Sequence, residues 1–157
     1  MSKAIKLIIS IVICQLAGVI GAFFTSPNIS GWYAGLVKPA FNPPSWIFGP
    51  VWTTLFLLMG IAFYFIWQKA NKNKLVRFAM IFFIVHLVFN TLWSILFFGL
   101  QNPGLAFLEI IILLAMIILL VEKFAKIDKR AAWLLVPYLL WVSFASILNY
   151  SIWQLNL

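Results

Sequence analysis

Acid is nearly missing from this chain. Its 157 residues include three acids, Glu109, Glu122 and Asp128, against eleven Lys and Arg, with a single histidine and a single cysteine. One cysteine excludes an intrachain disulfide. One histidine beside so few carboxylates leaves no metal-ligand cluster. No nucleophile–base pair appears either, so hydrolytic and acyl-transfer chemistry is not expected. No catalytic or metal-binding residue is assigned. Charged residues make up 9% of the chain, too few to cover a water-facing surface.

What fills the space is hydrophobic. Such residues are 65% of the total and the mean hydropathy is +1.09. Apolar runs lie near residues 7–24, 46–67, 78–98, 104–121 and 131–153. Runs of about 18 or more cross roughly 30 Å of hydrocarbon as helices. Continuous runs, rather than alternating segments of about 10 residues, exclude a transmembrane barrel. The expectation is an all-α integral membrane protein, one domain over 1–157, built as a bundle of five transmembrane helices. The first run outlasts the usual signal-peptide core of about 7–15 residues and no A-x-A site follows, so it reads as a retained span.

The surplus of positive charge is not spread evenly. Lys3 and Lys6 precede the first span. Lys69, Lys72, Lys74 and Arg77 lie between spans two and three. Lys123, Lys126, Lys129 and Arg130 lie between spans four and five. Five spans put these three regions on one side of the membrane, while the other side has Lys38 alone. That asymmetry predicts a cytoplasmic N-terminus. Anionic headgroups account for the basic residues, and no nucleic-acid partner is expected.

Most connections are short, which predicts that sequence neighbours pack as antiparallel neighbours. The exception is residues 25–45, read as a long Pro/Trp-rich loop between helices one and two. The stretch WYAGLVKPAFNPPSWIFGPVW (32–52), which runs from this loop into the second span, is too proline-broken for a plain span and too aromatic for a solvated loop. A packed lid is expected. Asn102-Pro103-Gly104 is a turn signal. Trp46, Trp67, Trp133 and Trp153 sit near span ends, as an interfacial belt would. Trp52, Trp93 and Trp141 lie deeper. Polar residues are lopsided too: Asn90, Thr91, Ser94, Glu109, Ser143, Ser146 and Asn149 fall in one half of the bundle, away from the basic loops, with His86 near the middle. Polar groups in hydrocarbon turn toward an interior or a cavity. His86, Asn90, Trp93 and Phe97 share a face of span three, and Trp141, Ala145 and Asn149 share one of span five. Phe48, Trp52, Phe56, Met59 and Phe63 line span two. Simple packing explains such stripes, but polar residues at the same depth point to a pocket.

These blocks resemble the TspO/MBR family of translocator and tryptophan-rich sensory proteins. The resemblance runs from Trp32 to Asn156. It rests on Trp32-Tyr33, Lys38-Pro39, Pro43-Pro44-x-Trp46 and Phe48-x-Pro50-Val51-Trp52, then Asn90-x-x-Trp93-Ser94 and Phe97-Phe98-Gly99. The last block is Pro137-Tyr138-x-x-Trp141, Phe144-Ala145, Leu148-Asn149-Tyr150 and Trp153-x-x-Asn156. It implies five helices, commonly as a homodimer, around a pocket for porphyrins and similar flat hydrophobic ligands. Protoporphyrin IX or haem is the implied ligand, and no cofactor is obligatory. The implied ligand-binding residues are Trp32, Tyr33, Trp52, His86, Asn90, Trp93, Trp141, Ala145 and Asn149. Asn90 could orient a ligand carbonyl or bond another helix. Lys38 could pair a propionate or shape the loop. His86 stands where the family commonly has glutamine and reads chiefly as a structural histidine. Glu109 could cap its helix or pair Lys38. Light-dependent porphyrin breakdown and small-molecule transport are alternative activities. No tyrosine is followed closely by Lys or Arg in span five, so sterol transport is not carried over. Ala17-x-x-x-Gly21 and Gly18-x-x-x-Ala22 permit close helix approach, within the bundle or in a dimer. A prokaryotic cell membrane is the expected location.

Overall fold

The computed structural model describes residues 2–70 and 73–157. Lys72, one of the cations counted on the basic side, lies outside the described residues. Five helices make up the chain: α1 Lys3–Asn28, α2 Ser45–Trp67, α3 Lys74–Ser94, α4 Pro103–Ile127 and α5 Lys129–Leu155. All five are long and apolar enough to span a membrane. Side chains start four of them. Ser2, Asn73, Asn102 and Asp128 each accept a hydrogen bond from a backbone N–H in the first turn, satisfying donors that would otherwise be orphaned. Pro103 takes the first position of α4, where its missing N–H costs nothing.

Helix α1 does not stop where the sequence suggested. It runs through Pro27 and widens into a π-helical turn, Ile29–Tyr33. The irregular link to α2 is therefore residues 36–44, not 25–45. Trp32 and Tyr33 consequently belong to a helix end rather than a loop. Tertiary packing supports the extra turns. Trp32 stands edge-on to Phe97 and Phe98, at 5.6 and 6.2 Å, and Tyr33 packs on the same two rings. Helix α3 ends in a matching π-helical turn, Ile95–Gly99.

The helices form a closed ring in the order α1, α2, α5, α4, α3 and back to α1. Helices α2 and α3 follow each other in sequence but touch less than either touches its ring neighbours. Gly60 sets how closely α1 lies on α2. A Cβ there would sit 2.7 Å from the Ile11 Cα, so its absence lets α1 lie against the α2 backbone. The main core fills the half nearer the basic loops. Its centre is a stack of Phe63 on Phe83 at 4.7 Å and Phe83 on Phe124 at 5.8 Å, surrounded by Met59, Ile66, Ile117 and Leu120. A smaller cluster of Tyr33, Phe97, Phe98, Ala106, Leu148 and Ile152 closes the opposite end.

At the basic end Asp128 joins two connections. Its carboxylate lies 3.0 Å from both Lys69 Nζ and Arg130 Nη2, and Lys69 also donates to the Ile127 carbonyl at 2.8 Å. The Arg130 guanidinium holds this carboxyl well below the usual carboxylate range against partial burial, and Lys69 adds to the effect.

Candidate ligand-binding site

Between the two cores lies a cavity of about 310 Å³. Helices α1, α2, α3 and α5 wall it, and α4 stands behind α3 and α5. Its size follows from the sequence. Gly18, Gly21 and Ala22 on α1 and Gly49 on α2 leave room where larger side chains would close the ring. The aromatic walls come from α2, α3 and α5. Phe48 stands edge-on to Trp141 at 5.9 Å, and Trp52 leans on Phe56 at 5.5 Å. Trp93 stacks on Phe97 at 5.0 Å. The cavity is not sealed. Val19, Ala22, Ser45, Gly49 and Thr53 all line it and are exposed on the bundle surface, so it opens to the outside of the bundle between α1 and α2.

Seven of the nine expected site residues meet here: Tyr33, Trp52, Asn90, Trp93, Trp141, Ala145 and Asn149. Two do not. Trp32 packs behind Phe97 and Phe98, outside the lining. His86 lies one turn deeper than Asn90, fully buried, with both ring nitrogens engaged: Nδ1 with the Phe83 carbonyl at 3.1 Å and Nε2 with the Tyr138 hydroxyl at 2.9 Å. It has no path to a metalloporphyrin iron. Among the described residues no group of metal-ligating side chains gathers.

Hydrogen bonds sort the polar lining. Asn149 is fully committed, accepting from Trp93 Nε1 at 3.0 Å and donating to the Pro103 carbonyl at 2.8 Å. It braces α3 and α4 against α5. Asn90 donates to the Tyr138 hydroxyl at 2.8 Å. The Trp141 indole N–H is buried and has no partner among the described residues. A buried donor of that kind is costly unless something accepts from it.

The link 36–44 is pinned rather than loose. Tyr33 donates to Asn42 Oδ1 at 2.9 Å, and Asn156 bonds both the N–H and the carbonyl of Val37. Lys38 donates to the Ala34 and Leu36 carbonyls and sits 4.8 Å from the Tyr33 ring centre, so it shapes this link. Trp46, expected in an interfacial belt near a span end, is 74% exposed. Glu109 neither caps α4, which Asn102 does, nor pairs with Lys38. Its two oxygens are buried without a partner among the described residues.

Sequence reasoning missed three features. Helix α1 was given no site role, yet its small residues form a wall. Gln15, which lines the cavity and donates to the Thr53 carbonyl at 3.0 Å, was a signal available as the lone amide in an apolar run. Tyr138 was seen as part of a motif, not as the hydroxyl joining His86 to Asn90.

Known proteins match this chain along nearly its whole length. The TspO/MBR family model matches residues 10–154, so the first span is included. The chain is 43% identical over 154 residues to a tryptophan-rich protein TspO of Chlorobaculum tepidum, covering 98% of each chain. It is 46% identical over 152 residues to a tryptophan-rich protein TspO of Archaeoglobus fulgidus, covering 97% of each. A translocator protein of Bos taurus is 36% identical over 145 residues, 90% of this chain and 85% of the relative. With five spanning helices and a match across nearly its whole length, the chain is a multi-pass membrane protein that belongs to the TspO/MBR family.

Proposed function

We propose that this protein is a membrane receptor for porphyrins and similar flat, hydrophobic molecules, with protoporphyrin IX or haem as the ligand class. The observation that supports it most is the placement of Trp52 and Trp141 on adjacent helices in the wall of one cavity. Indole faces suit a flat macrocycle through offset stacking. The Trp141 N–H gives such a ligand a fixed donor. The cavity is at the small end of the usual range for small-molecule sites, about 300–1,000 Å³. A macrocycle therefore enters edge-on through the lipid-facing gap between α1 and α2 and leaves part of itself in the bilayer. Haem binds without an axial histidine, because His86 is sealed below the floor.

The same reading puts the N-terminus in the cytoplasm of a prokaryotic cell, with the cavity in the outer leaflet and the chain working as a homodimer. The charge asymmetry of the loops supports the orientation.

The test is a titration of the detergent-purified protein with protoporphyrin IX, followed by tryptophan quenching. Saturable quenching is expected. Trp141→Ala should weaken affinity roughly three- to tenfold, the range for one lost aromatic contact. Quenching that never saturates, or an unchanged affinity in Trp141→Ala, overturns the proposal.

A further inference from the structure

The floor of the cavity is a chain of three hydrogen-bonding side chains whose directions can be worked out. His86 Nδ1 faces the Phe83 carbonyl. A carbonyl only accepts, so Nδ1 carries a proton. The imidazole is fully buried and no carboxylate is among its hydrogen-bond partners. An unpaired buried charge is prohibitive, so the ring is neutral and Nε2 is an acceptor. The group in reach of Nε2 is the Tyr138 hydroxyl. Tyr138 has one proton, and it goes to His86. What remains on the phenolic oxygen is lone pairs, which accept from Asn90 Nδ2 at 2.8 Å. The Asn90 amide is thereby held with its nitrogen toward Tyr138. Its Oδ1 has no hydrogen-bond partner in the described chain, and Asn90 lines the cavity.

From this relay we infer that Asn90 offers the cavity an acceptor, and that the site selects flat ligands carrying an N–H or O–H donor at that depth. His86 and Tyr138 are positioning residues for that choice. Of the two roles expected for Asn90, the bond to another helix is the one it makes, through Tyr138, and the other, orienting a ligand carbonyl, is reversed. It also gives the single histidine a use. Remove the Nε2 acceptor and the Tyr138 proton needs another home. Asn90, already 2.8 Å from that hydroxyl, can supply it by turning its amide over to present Oδ1. The NH₂ group then faces the cavity, and the preference inverts.

The inference rests on the cavity being a ligand site, as proposed above, and a matched set of tricyclic probes tests it apart from porphyrin binding. Carbazole carries a donor, fluorenone an acceptor, and fluorene neither. In wild type, titration calorimetry should show carbazole binding more tightly than fluorene by roughly three- to tenfold, the range for one neutral hydrogen bond. Asn90→Leu should erase that difference. His86→Leu should raise fluorenone affinity relative to carbazole by a similar factor, and Tyr138→Phe, which frees the Asn90 amide to turn either way, should bring the two affinities closer together. His86→Gln supplies a carbonyl that accepts from Tyr138 and should keep the wild-type ratio. A merely structural role for His86 would lower all affinities together and leave the ratio alone. If His86→Leu fails to fold, Tyr138→Phe and the wild-type carbazole-to-fluorene comparison still decide. Equal affinities in wild type, binding of neither probe, or an unchanged ratio in folded His86→Leu and Tyr138→Phe overturns the inference. Protoporphyrin titration of the same samples reports separately on the porphyrin reading.

Discussion

The half of the bundle near the basic loops and the half that holds the cavity are built from the same five helices, yet they solve opposite problems. In the first, Phe63, Phe83 and Phe124 stack in a line, with Met59, Ile66 and Leu120 fully buried around them. In the second, aromatic rings stand around a space instead of filling it. Lipid tails are as apolar as leucine, so burial alone gives these helices little reason to associate. Packing and hydrogen bonds must hold them. The packed half supplies the first. The cavity half gives up contacts and relies on the second: the Trp93–Asn149–Pro103 bridge, the His86–Tyr138–Asn90 relay and the Asn156 clasp on Val37.

That division can be broken at chosen points. Phe83→Ala opens a hole in the stack and should cost about 3–5 kcal/mol of stability, the range for a large buried aromatic. A thermal melt in detergent checks it, and the protoporphyrin affinity of the surviving folded protein should be little changed. Gly60→Ala is next. The added methyl would meet the Ile11 backbone at 2.7 Å, so α1 must move, at about 1–3 kcal/mol. Gly49→Ala is its counterpart in the cavity half. Nothing lies within 4 Å of the new Cβ, and alanine favours helix over glycine by up to about 1 kcal/mol. Its melting point should hold or rise. Equal losses from the two glycine variants would dissolve the contrast.

The smallest effect concerns the basic rim. Asp128 ionises more readily in the folded protein than in the unfolded chain. Its contribution is therefore complete above about pH 4, the ordinary carboxylate value, and is lost as pH falls toward the lowered folded value. Asparagine caps a helix as well as aspartate, so Asp128→Asn removes the charge and keeps the cap. The variant should melt slightly lower at pH 7, and its melting point should fall less between pH 5 and 2. Parallel pH curves would deny Asp128 this role.

Much of this was readable in the chain. Five spans, the aromatic stripes of α2, α3 and α5, and the lopsided polar residues all follow from period and depth, and seven of the nine expected site residues converge. The failures share a cause. The first apolar run ends near residue 24, but packing of Trp32 and Tyr33 onto Phe97 and Phe98 carried the helix onward. His86 shares a face with Asn90 and Trp93, and a shared face says nothing about how deep a cavity reaches. A wall made of Gly18, Gly21 and Ala22 shows in sequence as packing potential; that it borders a space depends on what stands opposite.

The central claim is that Trp52 and Trp141 face one ligand in one space. Fluorine NMR of protein labelled with 5-fluorotryptophan tests it most directly, with each resonance assigned by a single Trp→Phe change. On addition of protoporphyrin IX, the Trp52 and Trp141 signals should shift together and saturate together, while Trp133, 72% exposed on the bundle surface, stays in place. Shifts confined to the exposed tryptophans Trp46 and Trp133, with Trp52 and Trp141 unmoved, would contradict the account.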